Sequence, residues 1–233
     1  MSGFLASVNS LQEAQIALYG GADIIDLKDP ARGALGAVSL EVQREVVQFV
    51  QGRRTVSATV GDLPMDAELM IRAIELTAIS GVDLVKVGLP GLEHHCACLR
   101  ALRETASAGV RLVAVLFAEL TPPLWLLDEL AQAGCHGVML DTGDKAAGGL
   151  CAYMSPGELA DFIAAARRLG LLNALGGSLG PDDIDTLLPL NPDCLGFRGA
   201  LCHGGIRTAG LSPAALSRIR RAIPAEPRAK AVG

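Results

Sequence analysis

The chain has 233 residues, half of them hydrophobic and 3% aromatic, and its 20 basic and 25 acidic residues leave a formal charge of -5. That length suits one large domain or two small ones and supplies enough apolar mass for a core without disulfides or structural metals. So few aromatics and a negative balance speak against base-stacking or general polyanion-binding surfaces, leaving only local phosphate sites built from backbone N–H groups and an arginine.

No basic segment followed by an apolar run opens the sequence, and no apolar run approaches the roughly 20 residues of a membrane span. Cysteines at 96, 98, 135, 151, 194 and 202 lack the spacing of a disulfide framework. The expectation is a cytoplasmic protein with reduced thiols, no membrane or nucleic-acid partner and, from its apolar balance, self-association into a homo-oligomer.

Strand and helix patterns alternate from end to end. Phe4–Val8 reads as a strand, and Ser10 as the N-cap of a helix reaching Tyr19. The second strand lies within the stretch Gly20–Pro30, where Ala22 to Ile25 are small or β-branched, as suits a strand covered on both faces, and the stretch ends in charge at Asp26, Lys28 and Asp29. A loop over 29–36, a helix over 40–50, a strand over 56–60 and a helix over 66–79 follow. The fourth strand, 83–88, holds Lys86; a helix near 93–106, the strand 111–118 and a helix opened by Pro122 and Pro123 come next. The sixth strand, 137–141, ends on Asp141 before a glycine-rich loop over 142–149 that carries Lys145. Ser155-Pro156-Gly157-Glu158 is a capping-box start, with proline at the first helical position. The strands 172–175 and 194–197, a short helix after Pro181 and a last helix over 212–223 complete the pattern.

Eight strand–helix units at about 28 residues each predict a single-domain (β/α)₈ TIM barrel over 1–221, with a fraying tail over 222–233. Gly21-Ala22-Asp23, Gly81-Val82-Asp83, Gly134-Cys135-His136 and Asn191-Pro192-Asp193 each precede an even-numbered strand, a weak internal echo. A doubly wound open sheet shares the alternation, but no GxGxxG follows the first strand.

Only four of the basic residues are lysines: 28, 86, 145 and 230. Three stand at or beside strand ends in a chain that otherwise uses arginine, and lysine alone of the two can lose its proton or form a Schiff base. Asp26 and Lys28, two apart, point to one side of a strand. With Lys86, Asp141 and Lys145 they converge on the mouth of a barrel, a set suited to imine chemistry on an aldehyde or ketone. Salt bridging at the rim is the alternative use of such lysines. Gly176-Gly177-Ser178 and Arg198-Gly199-Ala200 follow the seventh and eighth strands, where barrels hold phosphate. Asp62 and Glu119 stand at strand exits as supporting acids, and Cys202 and His203 follow the strand-eight loop, as turn residues in preference to lining the site. His94-His95-Cys96-Ala97-Cys98 lies in a helix whose neighbouring side chains diverge, so no metal and no cofactor is expected.

Five motifs in order resemble the (5-formylfuran-3-yl)methyl phosphate synthase family, also called 4-(hydroxymethyl)-2-furancarboxaldehyde-phosphate synthase. They are Gly20–Lys28 with Pro30 and Gly33–Ala37, Ser57–Asp62, Lys86-Val87-Gly88, Asp141-Thr142 with Lys145, and Arg198-Gly199-Ala200 with Cys202. Ala146 and Ile206 depart from a pattern that is often acidic at both positions. The resemblance implies a cytosolic barrel in methanofuran or methylofuran biosynthesis. Its reaction would condense two glyceraldehyde 3-phosphates, a small phosphorylated aldehyde, with loss of one phosphate and two waters. In that scheme Lys28 is the Schiff-base nucleophile, Lys86 the proton acceptor, and Asp26, Asp141 and Lys145 the acid–base support. Another Schiff-base aldolase, a sugar-phosphate isomerase, or a non-catalytic barrel binding a ligand or metal are the rival readings.

Overall fold

Residues 2–144 and 148–224 are described by a computed structural model. Its elements in order are β1 (Gly3–Val8), α1 (Leu11–Tyr19), β2 (Ile24–Leu27), α2 (Leu40–Val50), β3 (Thr55–Thr59), α3 (Ala67–Ala78), β4 (Leu84–Leu89) and α4 (His95–Ser107). The second half runs β5 (Leu112–Phe117), α5 (Trp125–Gln132), β6 (Gly137–Asp141), α6 (Leu150–Tyr153), α7 (Pro156–Arg168), β7 (Leu172–Leu175), α8 (Pro181–Leu187), β8 (Cys194–Phe197) and α9 (Pro213–Ala222). Neighbouring strands are parallel and consecutive, and β8 pairs with β1, so the sheet closes into a (β/α)₈ barrel rather than an open wound sheet. The one-turn helix α6, inside the stretch between Asp141 and Ser155, has no counterpart in the sequence expectation. Among the described residues no helix is long and apolar enough to cross a membrane.

Helix starts are fixed by polar side chains. Ser10, Ser39, Asp66 and Ser212 each accept the N–H three residues on, and Ser155 with Glu158 forms the reciprocal capping box. The internal echo has a physical cause as well. Gly21, Gly81 and Gly134 take φ of 85°, 87° and 83° to leave their helices, and Asn191 fills the same role at 56°. The aspartate that follows reaches back to cap the preceding strand. Asp23 accepts Phe4 N–H at 2.9 Å, Asp83 accepts Val56 N–H at 2.8 Å, and Asp193 accepts Asn173 N–H at 2.9 Å.

Strand alternation then sorts the core into two regions. Outward residues such as Phe4, Ile25, Leu27, Val87, Leu112 and Leu116 pack under the helices. Truncating one of the larger of these to Ala costs about 2–5 kcal/mol. Inward residues Leu5, Leu84, Val113, Val115, Met139, Ala174 and Cys194 fill the barrel itself. Leu35, from the loop after β2, joins that inner group from above; a Cβ on Gly88 would lie 2.5 Å from its Cδ1.

Candidate active site

The strand register decides which polar residues meet. Ser7 of β1, Asp26 of β2 and Ser57 of β3 are register partners on adjacent strands, and their side chains share the barrel interior. Asp26 accepts from Ser7 Oγ at 2.9 Å and from Ser57 Oγ at 2.6 Å. Lys86, inward on β4, places Nζ 3.0 Å from both oxygens of the same carboxylate. Asp26 is fully buried and Lys86 nearly so, so the full set of donors around the carboxylate offsets a desolvation cost of several kcal/mol per ion. Nearby Cys194 is buried too, and burial pushes its thiol up, keeping it protonated.

Lys28 follows β2 on the same inward side, one layer closer to the mouth. Its Nζ donates to Asp141 Oδ2 at 3.1 Å, and Asp141 Oδ1 accepts the N–H of Thr142 at 2.8 Å. The four acid–base residues expected to share one space thus divide into two ion pairs. Lys28 and Asp141 line a cavity of about 410 Å³, whereas Lys86 and Asp26 lie behind its wall. Lys145 lies outside the described residues.

That cavity exists because inward positions near its floor lack side chains. Gly176 and Gly196 leave room there, and Met139 fills the space beneath, its Cε 2.4 Å and 3.2 Å from where their Cβ atoms would be. All six residues expected at a phosphate, namely Gly176, Gly177, Ser178, Arg198, Gly199 and Ala200, line it together with Ser7, Lys28 and Asp141. Gly177 is required by a close approach, since a Cβ there would lie 2.9 Å from Thr142 Cγ2, and by its φ of 99°.

The charge expected of Arg198 at a phosphate goes elsewhere. Its guanidinium gives two N–H groups to Glu13, and the rest to the carbonyls of Ser7 at 3.1 Å, Arg207 at 2.8 Å and Ala209 at 3.1 Å. All five donors are spent on protein, so Arg198 pins the loop after β8 to β1 and α1. Arg207, which sequence reasoning did not single out, lines the same cavity and donates to Gly33 O at 2.9 Å.

Asp62 accepts Leu35 N–H at 2.8 Å, and Glu119 accepts Gly143 and Asp144 N–H at 2.5 Å and 3.1 Å, so both acids hold loops at the rim. Cys202 Sγ lies 3.2 Å from Arg198 O, and His203 is exposed. His95 faces Trp125 edge-on at 6.0 Å, and no three metal-type side chains gather among the described residues.

Residues 4–220 match the family model described as 4-HFC-P synthase. A relative from Methylorubrum extorquens, provisionally named (5-formylfuran-3-yl)methyl phosphate synthase, is 42% identical over 97% of this chain and 94% of its own. The (5-formylfuran-3-yl)methyl phosphate synthase of Methanopyrus kandleri is 38% identical over 88% of this chain and 92% of its own. Among solved structures, a 3-hexulose-6-phosphate synthase superposes with a TM-score of 0.66 over 95% of this chain and all of its own; at 19% identity that likeness concerns the fold alone.

Proposed function

The chain belongs to the 4-HFC-P synthase family of enzymes, and we propose from that premise that it makes (5-formylfuran-3-yl)methyl phosphate from two molecules of glyceraldehyde 3-phosphate. The balance is one phosphate and two waters lost per furan formed. The observation that carries the reading is Lys28 Nζ, held 3.1 Å from Asp141 on the wall of a cavity whose other side is glycine backbone. An amine beside its own carboxylate can pass a proton to it and attack a carbonyl carbon, while N–H groups of the 177–178 and 199–200 segments take the phosphate of the same molecule. Arg207 supplies the side-chain cation there.

The imine on Lys28 acidifies the neighbouring carbon, and the enamine formed on deprotonation attacks the aldehyde carbon of the second molecule. The Asp26–Lys86 pair stands behind the wall as proton store for these steps, with Asp141 as acid–base support nearer the mouth and Lys145 assigned to the same support by the family resemblance. Aromatisation of the ring draws the two dehydrations forward. The reading places the reaction in methanofuran or methylofuran biosynthesis, and so in the cytoplasm.

Purified protein incubated with glyceraldehyde 3-phosphate alone is expected to give a strongly ultraviolet-absorbing furan aldehyde and one inorganic phosphate per product. Borohydride added during turnover is expected to leave the reduced adduct on Lys28. A product without furan absorbance points to an ordinary aldolase or isomerase, and an adduct on Lys86 instead of Lys28 reverses the roles of the two lysines.

A further inference from the structure

The buried pair Asp26–Lys86 has no face on the cavity that holds Lys28, yet a proton store is of use only if protons reach it. One side chain spans the gap. Ser7 lines the cavity, and its Oγ lies 2.9 Å from Asp26 Oδ2 with the hydroxyl proton aimed at the carboxylate. That geometry leaves the Oγ lone pairs available to a proton arriving from the cavity side. Ser57 makes the matching bond to Asp26 Oδ1 at 2.6 Å, but it is not part of the cavity wall. Two hydroxyls therefore hold one carboxylate, and only one of them borders the space where substrate would sit.

We propose that Ser7 is the proton relay between substrate and the Asp26–Lys86 pair. The proposal rests on the Schiff-base reading above. In the step, the C–H bond beside the iminium carbon breaks and its proton goes to Ser7 Oγ, while Ser7 hands its own proton to Asp26 Oδ2. The electron pair of the C–H bond becomes the C=C bond of the enamine, and the iminium π pair returns to the Lys28 nitrogen, which becomes neutral. The proton returns by the same route to the hydroxyl that departs as water, leaving serine and carboxylate as they began.

The test is to run the reaction in D2O with unlabelled glyceraldehyde 3-phosphate, trap the Lys28 adduct with borohydride at timed intervals, and read its deuterium content by mass spectrometry. Ser7→Ala is expected to form the adduct within about twofold of the parent rate and to take up deuterium about 100-fold more slowly, the scale of a lost general acid–base group. Ser57→Ala, which loses an equivalent bond to the same carboxylate, is expected to slow uptake by less than about tenfold. Should Ser7→Ala fail to fold, Ser7→Thr and Ser7→Val replace it as a pair similar in size, with the threonine variant expected to exchange about 100-fold faster. Undiminished uptake in Ser7→Ala, equal losses at positions 7 and 57, or equal rates for the threonine and valine variants would each overturn the relay alone. Absence of any Lys28 adduct in the parent protein would overturn the Schiff-base reading beneath it.

Discussion

Aspartates stand at both ends of this barrel, and their surroundings differ. At the amino-terminal rim, Asp23 and Asp83 are 39% and 40% exposed, accept a backbone N–H each, and pair with Arg220 and Arg111 at 2.7 Å and 3.3 Å. Toward the mouth, Asp26 in the barrel interior and Asp141 one layer above it are 0% and 3% exposed and pair with lysines. Asp23 and Asp26 lie only three positions apart in sequence. The rim acids close strand ends in water, where an ion pair is worth about 1 kcal/mol or less. The mouth acids keep charge inside a core where apolar residues would be as stable or more so. Charge placed against stability is what supports the proposal that the chemistry lies at the mouth.

The comparison breaks first at Lys28. Lys28→Arg is expected to abolish furan formation while circular dichroism and the unfolding midpoint stay near the parent values; residual turnover would remove this lysine from the chemistry. Next comes Arg198, a mouth residue with a scaffold's contacts. Arg198→Ala strands the buried carboxylate of Glu13 and is expected to cost about 3–5 kcal/mol in denaturant unfolding. A variant as stable as the parent but unable to bind phosphate would return Arg198 to the binding role first expected of it.

Arg207→Gln is expected to raise KM for the phosphorylated aldehyde roughly 10- to 100-fold with much less change in kcat, as for a charge-assisted bond worth about 1.5–3 kcal/mol. Smallest is the rim itself. Asp83→Ala should cost about 1 kcal/mol of stability, from one strand cap and one exposed pair, with kcat and KM unchanged at a temperature where the variant is folded. A kinetic effect there would erase the distinction between the two ends.

Much of this was legible in the chain. Eight repeats of strand and helix give the barrel, and the period of two puts Asp26 and Lys28 on one face. The same alternation applied to β1 and β3 puts Ser7 and Ser57 inward beside them, but serine at an inward position carries no signal until its neighbour is known to be an acid. The pairing of Lys28 with Asp141 rather than Asp26 follows from layer height and barrel closure, which sequence spacing does not contain. Arg198 misled for a related reason. An arginine after the eighth strand resembles a phosphate ligand, and only the nearness of Glu13, 185 positions away, turns it into a tie. Arg207 sits in an irregular loop, where no periodicity indicates direction.

Leu35 has the last consequence. By dropping into the inner core over Gly88 it fills the barrel interior on the side of β3, β4 and β5, and the cavity that holds Lys28 is bounded from β1, β2 and the last three strands. A vessel corked on one side seats its guests on the other. Lys28 stands on that open side, so a guest tethered there keeps its place while its twin arrives.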